Sequence, residues 1–163
     1  MIDVKIRKAR VEDMLAVNNA HKRSIREVCS KDYNADQIEK CSDITYTVDR
    51  WTNTVSNECC YIVELDDEIH GVCHSKVHDD NRGEIVGLYL TPEVIGLGVG
   101  RSIFTKCLDY IKEHSSRVVF ISGTLTAKGF YEKMGFKSVK KVNYNIRGID
   151  VEIHRMEMEI FYE

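Results

Sequence analysis

Three glycines, Gly96, Gly98 and Gly100, are the residues whose type and spacing most directly suggest chemistry. They follow a short apolar segment and the chain's only proline, Pro92, and they precede a segment with helical spacing of apolar residues. Glycine has no Cβ, so phosphate oxygens can approach the main chain, and the first N–H groups of a helix are free to bind them. The pattern therefore predicts a loop that binds a diphosphate through backbone amides.

The glycine spacing does not fit two familiar phosphate-binding loops. A G-x-G-x-x-G dinucleotide loop that began at Gly96 or Gly98 would need glycine where Arg101 or Ile103 stands. A P-loop that began at Gly96 also fails at Arg101, and no Lys-Ser or Lys-Thr pair follows. The remaining I-G-L-G-V-G pattern is a weak signal alone, because glycines also serve ordinary turns.

A second motif lies downstream, where residues 122–136 have the sequence SGTLTAKGFYEKMGF. The proline and glycine block of residues 84–101, followed by A-x-x-F-Y-E-K-x-G-F, resembles the GNAT superfamily of acetyl-CoA-dependent N-acetyltransferases in order and separation. A weaker likeness covers residues 6–51 and the C-terminal R-G-I-D with the strand after it. Together the blocks identify the chain as a member of a small bacterial branch of that superfamily.

The resemblance implies an α/β (α+β) GNAT fold, with a central, mixed and mostly antiparallel twisted sheet flanked by helices and splayed between its fourth and fifth strands. It also implies transfer of an acetyl group from acetyl-CoA to a primary amine of a small molecule or protein. Direct transfer is favoured because neither matched block holds a cysteine that could carry the acyl group. A non-catalytic acyl-CoA sensor is one alternative, and a structural protein whose glycine loop is only a turn is another.

Tyr131 is the candidate general acid, because it occupies the tyrosine of the F-Y-E block that often protonates the coenzyme A sulfur in this superfamily. A phenol with a pKa of about 10 stays protonated at neutral pH and can donate to a thiolate with a pKa of about 8.5. Phe130 is expected to anchor in the core while Tyr131 faces the cofactor. The alternative is a tyrosine that packs without transferring a proton.

Glu84 is the candidate general base, because its position before the glycine loop matches the catalytic glutamate of the superfamily's histone-acetylating branch. Strand alternation predicts one shared face for Glu84, Val86, Leu88 and Leu90. The alternatives are an exposed charge at a strand entrance and deprotonation of the amine through ordered water.

The cofactor contacts implied by the resemblance are mainly backbone contacts, with the pantetheine arm pairing along one strand and the diphosphate held by the glycine loop. The residues concerned are Leu88, Tyr89, Leu90, Ile95, Gly96, Leu97, Gly98, Val99, Gly100, Arg101, Thr126 and Phe130.

The loop departs from the superfamily pattern at Ile95, where Gln or Arg is usual, and at Leu97, which replaces a frequent Arg. Side-chain contacts to the phosphates are therefore reduced, although Arg101 can partly compensate. Thr126 replaces a frequent asparagine, and its hydroxyl is expected either to cap the following helix or to contact pantetheine.

Candidate residues for the amine site are His21, Tyr33 and Trp51, in the N-terminal segment that usually covers the acceptor pocket in this superfamily. Core packing is the alternative for each of them. No metal is expected, because His70, His74 and His78 recur every four residues in a predicted strand. Four strand residues span about 13 Å, which is too far for two ligands of one ion.

The composition of the 163 residues, 43% hydrophobic and 30% charged, predicts one globular domain over residues 1–163. We expect a cytoplasmic protein without a membrane segment or secretory leader, and its six cysteines are expected to be reduced. Residues 98–147 hold ten Lys or Arg against three Asp or Glu, whereas the whole chain has a net charge of −3. This asymmetry suits an anionic cofactor and a cationic amine rather than nucleic acid. The alternative is that solvated helix faces simply differ in charge, without a specific partner. A homodimer is one open expectation.

Apolar periodicity places these motifs on alternating strands and helices. Strands are predicted over Val4–Arg7, Tyr61–Leu65, Ile69–Val77, Glu84–Leu90, Arg117–Ser122, Phe136–Ile146 and Ile149–Ile160. Helices are predicted over Glu12–Cys29, Gly98–His114 and Thr126–Met134. Residues 32–56 are predicted to be irregular, with short helical turns near Gln37–Lys40 and Thr47–Trp51.

Overall fold

The computed structural model describes residues 2–163 as a seven-stranded sheet with helices on both faces. The strands are β1 (Val4–Lys8), β2 (Cys59–Leu65), β3 (Glu68–Val77), β4 (Gly83–Leu90), β5 (Val118–Thr124), β6 (Lys137–Ile146) and β7 (Ile149–Glu159). The helices are α1 (Met14–Val28), α2 (Ala35–Ser42), α3 (Val48–Asn57), α4 (Val99–Glu113) and α5 (Lys128–Lys133).

The strand order is β1-β2-β3-β4-β5-β7-β6, and every neighbouring pair is antiparallel except the parallel pair β4 and β5. A parallel pair needs a crossover connection, and α4 provides it. The expected mixed, mostly antiparallel sheet is therefore confirmed. Among residues 2–163, no helix has the length and apolar character needed to cross a bilayer.

Strands β4 and β5 pair only at their beginnings, where Gly83–Ile85 lies beside Val119–Ile121. Both strands continue beyond this short ladder, β4 to Leu90 and β5 to Thr124. Their ends therefore diverge, at the position where the sequence predicts a splay. The divergence leaves backbone groups of both strands facing a cleft.

A bulge interrupts β4 just where the splay begins. Ser75 of β3 pairs with Ile85, but the preceding residue, His74, pairs with Gly87, so Val86 is an additional residue in β4. An additional residue reverses the inward and outward alternation of every side chain beyond it.

The bulge overturns the predicted side-chain alternation of β4. Ile85 and Leu88 both pack in the core between the sheet and α4, although three residues separate them. Tyr89 packs on the opposite face, with the core beneath α1. The sequence predicted one shared face for Glu84, Val86, Leu88 and Leu90. In the structure, Glu84 and Val86 lie on the opposite face of the sheet from Leu88 and Leu90.

Helices α2 and α3 are longer than the short turns predicted for this segment, and both have capped N-termini. Before α2, the Asn34 side chain accepts a hydrogen bond from the Gln37 N–H, and the Gln37 side chain accepts one from the Asn34 N–H. Before α3, the Thr47 hydroxyl accepts a hydrogen bond from the Arg50 N–H. These caps satisfy orphan amides at the two N-termini and stabilise both helices.

Candidate active site

A cavity of about 300 Å³ lies between the diverging ends of β4 and β5, and we call it the splay cavity. It is lined by β4, β5, the first turn of α4, the region around α5 and the C-terminal turn of α1. The lining residues are Ser24, Val28, Cys29, Lys31, Gly87, Leu88, Tyr89, Leu90, Ile95, Gly100, Ser122, Thr124, Thr126, Ala127, Phe130 and Tyr131.

The glycine loop lies at the N-terminus of α4, at one end of the splay cavity. Gly96 and Gly98 have φ angles of +85° and +80°, which L-residues with a side chain rarely adopt. A Cβ on either glycine would meet no protein atom within 4 Å. At Gly100 a Cβ would instead lie 3.3 Å from Leu90 Cδ1, so this glycine lets α4 approach β4.

The side chains of the loop contribute little polar character. Ile95 and Leu97 are each 47% exposed, although both are apolar. Arg101 lies in the first turn of α4 and is exposed. An anion at this helix terminus would therefore be bound by backbone N–H groups, with Arg101 as the nearby cation.

The segment that leads into the loop is fixed to β3 and α1. Thr91 is fully buried, and its hydroxyl lies 2.7 Å from His70 Nδ1. Arg23 of α1 forms an ion pair with Glu93, and this pairing lowers the pKa of Glu93 to about 2. These contacts hold the glycine loop against the body of the protein.

Tyr131 lies at the inner wall of the splay cavity and is only 3% exposed. Burial raises the pKa of its phenol well above the ordinary value. Phe130 also lines the cavity, and its ring makes an edge contact with Phe104 at a centroid separation of 5.7 Å. Phe130 was expected to pack in the core and Tyr131 to face the cofactor. In the structure, each of the two rings contacts both the core and the splay cavity.

Thr126 lines the splay cavity, but its hydroxyl donates a hydrogen bond to Asp32 Oδ2 at 2.7 Å. The Thr124 hydroxyl instead accepts the hydrogen bond from the Ala127 N–H at the start of α5. The predicted capping role of Thr126 is therefore wrong, because Asp32 is its partner.

Glu84 lies at the closed end of the splay, three residues before the first β4 residue that lines the cavity. Its side chain is 22% exposed, and Oε1 lies 3.1 Å from His78 Nε2. Phe120 is opposite Glu84 in β5, with the His78 ring stacked on it and the Arg155 guanidinium 3.9 Å from its centroid. The carboxylate is thus held beside an aromatic and cationic cluster.

A second cavity, of about 210 Å³, lies on the α1 face of the sheet, and we call it the inner pocket. It shares Gly87 and Tyr89 with the splay cavity. The other lining residues are His21, Ile44, Thr45, Tyr46, Arg50, Val72, His74 and Val86.

Tyr46 and His74 line the inner pocket and belong to a hydrogen-bonded chain of three side chains, whose third member, Glu58, lies outside the pocket wall. The Tyr46 hydroxyl lies 2.8 Å from His74 Nδ1, and His74 Nε2 lies 2.8 Å from Glu58 Oε1. Burial lowers the pKa of His74 despite the adjacent Glu58 carboxylate, and burial raises the pKa of Tyr46. No sequence motif predicts the roles of Tyr46 and Glu58, because 28 and 16 residues, respectively, separate them from His74.

His21 lines the inner pocket, and its ring makes an edge contact with Tyr89 at a centroid separation of 4.3 Å. Its Nδ1 atom is buried and has no protein hydrogen-bond partner within residues 2–163. Burial, with a smaller contribution from Lys22, lowers the pKa of His21 to about 4. The imidazole is therefore neutral at neutral pH.

The low pKa of His21 predicts an acid-dependent loss of stability. An unfolded histidine has a pKa of about 6.5, so the unfolded chain binds more protons between pH 6.5 and 4, and stability falls as the pH falls through this range. At pH 5 this contribution amounts to about 2 kcal/mol relative to pH 7. In denaturant unfolding, the free energy of unfolding of the wild type should fall more between pH 7 and pH 5 than that of His21→Gln, by about 2 kcal/mol. The exposed His114, as His114→Gln, is the matched control, and equal pH responses of both variants would contradict the prediction.

Tyr33 and Trp51, the other two predicted pocket residues, differ in their positions. Tyr33 lines a cavity of about 160 Å³ between α1, α2 and the β6–β7 hairpin. Its hydroxyl accepts a hydrogen bond from Leu125 N–H and donates one to the Glu152 carbonyl, both at 2.8 Å. It therefore ties the end of β5 to β7.

Trp51 is 1% exposed and packs in the core beneath α1 with Val17 and Ile62. Its indole N–H donates hydrogen bonds to the carbonyls of Arg10 and Val11, both at 3.1 Å. The expectation that Trp51 lines the amine site is therefore wrong, since its one polar atom anchors the segment before α1.

His70 and His74 in β3, and His78 just after it, have different hydrogen-bond partners. His70 contacts Thr91, His74 contacts Tyr46 and Glu58, and His78 contacts Glu84. Each histidine thus serves a different part of the structure.

The chain matches the family model described as the acetyltransferase (GNAT) family over residues 22–136. This match covers most of the chain, and the protein therefore belongs to the GNAT acetyltransferase family, a family of transferases that use acetyl-CoA. The resemblance inferred from the two sequence blocks is confirmed. A comparison with curated proteins found no matching sequence.

Solved structures of other acetyltransferases share this fold. A GCN5-related N-acetyltransferase from Rhodopseudomonas palustris aligns with a TM-score of 0.84 and 17% identity, covering 96% of this chain and 95% of that one. The PaiA N-acetyltransferase from Thermoplasma acidophilum, solved in complex with coenzyme A, aligns with a TM-score of 0.76 and 21% identity, covering 97% of this chain and 99% of that one. The ribosomal-protein-S18-alanine N-acetyltransferase from Escherichia coli aligns with a TM-score of 0.71 and 12% identity, covering 99% of this chain and 96% of that one. At such identities the comparisons support the fold.

Proposed function

We propose that this protein transfers an acetyl group from acetyl-CoA directly to a primary amine. The observation that carries the proposal is the placement of the glycine loop at one end of the splay cavity and of Tyr131 on its inner wall. A ligand with a diphosphate and a long flexible arm could occupy both places at once. The PaiA enzyme from Thermoplasma acidophilum, with the same fold, has been solved with coenzyme A.

The residues of the loop and cavity fit such a ligand. The open space beside Gly96 and Gly98 leaves their amides accessible to phosphate oxygens. Because β4 and β5 diverge beyond Ile85, the backbone groups of Leu88 and Leu90 can pair with the amides of an extended arm. Acetyl-CoA supplies the acetyl group as a thioester, which an amine can attack directly.

Tyr131 is the proposed proton donor to the departing sulfur. Its burial raises the phenol pKa, which by itself makes it a weaker acid. The same burial would raise the pKa of a thiol formed beside it, so the two groups stay matched. Proton donation by Tyr131 would release the coenzyme as a neutral thiol instead of a thiolate.

Glu84 is the proposed proton acceptor for the amine through ordered water, since it lies at the closed end of the splay but lines neither cavity. Glu84→Gln is expected to lower kcat about tenfold, because water can replace part of a general base. The kcat should be lower across the pH–rate profile, while the KM for acetyl-CoA is unchanged. Glu113→Gln on the exposed face of α4 is the control. A Glu84→Gln profile that overlays the wild-type one would exclude this role.

The proposed function is tested in two steps, first by thermal unfolding with acetyl-CoA and then by thiol release with a panel of amines. At a hundredfold excess over Kd, binding should add about 2.7 kcal/mol to stability. A structural protein with an ordinary glycine turn would show no such shift. A sensor would show the shift but release no thiol with any amine, and that result would overturn the transferase proposal.

A further inference from the structure

We infer that the inner pocket is the acceptor site and that it takes a small primary amine which also carries an anionic group. The inference rests on the proposed acetyl transfer and specifies its second substrate. Four features of the pocket carry it: its position, its size, its unused hydrogen-bonding groups and its unpaired positive charge.

The position of the pocket suits an acceptor, because it meets the splay cavity at Gly87 and Tyr89. Gly87 follows the additional residue of the β4 bulge, so the strand is distorted where the two cavities touch. Beyond Ile85 the strand is unpaired on the β5 side. An amine in the inner pocket could therefore approach an acyl group in the splay cavity at this gap.

The size of the pocket suits a small molecule. Its volume of about 210 Å³ is smaller than that of the splay cavity, at about 300 Å³. Its apolar walls are Ile44, Val72 and Val86, which leave room for only a short carbon chain.

The hydrogen-bonding groups of the pocket point to an N–H donor. Glu58 Oε1 lies 2.8 Å from His74 Nε2, which assigns the imidazole proton to that nitrogen. His74 Nδ1 must then accept the Tyr46 O–H, so the lone pairs of the Tyr46 oxygen remain free for a ligand. His21 Nδ1 is a second buried polar atom of the pocket with no protein partner within residues 2–163.

The charge of the pocket points to an anionic group on the same ligand. Arg50 lines the pocket, and its guanidinium carbon lies 5.1 Å from the Tyr46 ring centroid. No carboxylate belongs to the pocket wall, and within residues 2–163 none forms an ion pair with Arg50. An ammonium ion alone would be repelled by this cation. A carboxylate within a few carbons of the amine would pair with Arg50 and offset that repulsion.

The test is a thiol-release assay on matched acceptors: alanine, alaninamide and ethylamine, with β-alanine to lengthen the spacing and a tetrapeptide with a free N-terminus. The amino acids should exceed alaninamide and ethylamine in kcat/KM by about tenfold, the effect of one charge-assisted contact. Arg50→Gln should raise the KM for the amino acids about tenfold and leave that for alaninamide unchanged. Arg117→Gln, an exposed arginine after α4, should change neither.

The outcomes separate this inference from the proposed function. If thiol release with ethylamine, alaninamide or the tetrapeptide is as fast as with the amino acids, or faster, acetyl transfer is supported. The inference that the acceptor carries an anionic group is then overturned. Thiol release with no amine overturns the proposed function, and the inference with it. If Arg50→Gln does not fold, the wild-type panel alone decides between these outcomes.

Discussion

Replacing Gly96 and Gly98 together with alanine is expected to weaken acetyl-CoA binding about a hundredfold, which is a loss of about 2.7 kcal/mol in binding free energy. A Cβ at either position would meet no protein atom within 4 Å, so the new methyl groups would occupy the space proposed for the diphosphate. They would hold phosphate oxygens away from the loop amides and the α4 terminus. Calorimetric titration with acetyl-CoA measures this loss.

The control must separate backbone strain from ligand contact, because alanine at a positive φ costs roughly 1 to 2 kcal/mol of stability. Gly148, in the β6–β7 turn, supplies it: φ is +88°, and a Cβ there would also meet nothing within 4 Å. Gly148→Ala should lose about half as much stability as the double variant, since it has one strained alanine instead of two, and should keep full affinity for acetyl-CoA. If the double variant also keeps full affinity, the loop is an ordinary turn and the proposed diphosphate site is wrong.

Local sequence signals were sufficient to predict most of the sheet and the position of the glycine loop. The β2–β3 hairpin and the β4–loop–α4 unit are specified locally, within 19 and 31 residues, by alternation, turn residues and glycines. Helices α2 and α3, of 8 and 10 residues, were predicted only as short turns, because each is short and begins at a cap, Asn34 or Thr47.

The bulge at Val86 could not be predicted, because it depends on the register between β3 and β4 rather than on either strand alone. One additional residue was enough to reverse the predicted faces of β4 beyond it. Since the bulge lies at the start of the splay, a local irregularity decides which side chains face each cavity.

The acceptor pocket was the least predictable part of the candidate site. Tyr46, His74 and Glu58 come from three separate segments and meet only in the folded chain. Trp51 was selected for its aromatic ring, yet the fold uses that ring and its N–H to anchor the segment before α1. Residue type was therefore enough to select candidate side chains, but tertiary packing determines whether each one lines the pocket or packs in the core.

Tyr131→Phe is expected to lower kcat about a hundredfold, the lower end of what a positioned general acid contributes. Affinity for acetyl-CoA should stay unchanged, because the ring that packs beside Gly123 and Phe104 is retained. Single-turnover rates at saturating substrates, with separately measured Kd values, separate the chemical step from binding. Tyr61→Phe, on β2, removes a hydroxyl from the sheet far from the splay cavity and should have no effect.

The pH dependence gives an independent test of Tyr131. Because burial holds its pKa well above 10, the phenol stays protonated through pH 9, and the wild-type chemical step should not decline there for lack of the acid. A free phenol with a pKa of about 10 would already begin to lose its proton near that pH. The phenylalanine variant should therefore stay slower by a constant factor from pH 7 to 9. A variant with near-wild-type turnover would show that Tyr131 only packs, and that the departing sulfur takes its proton from water.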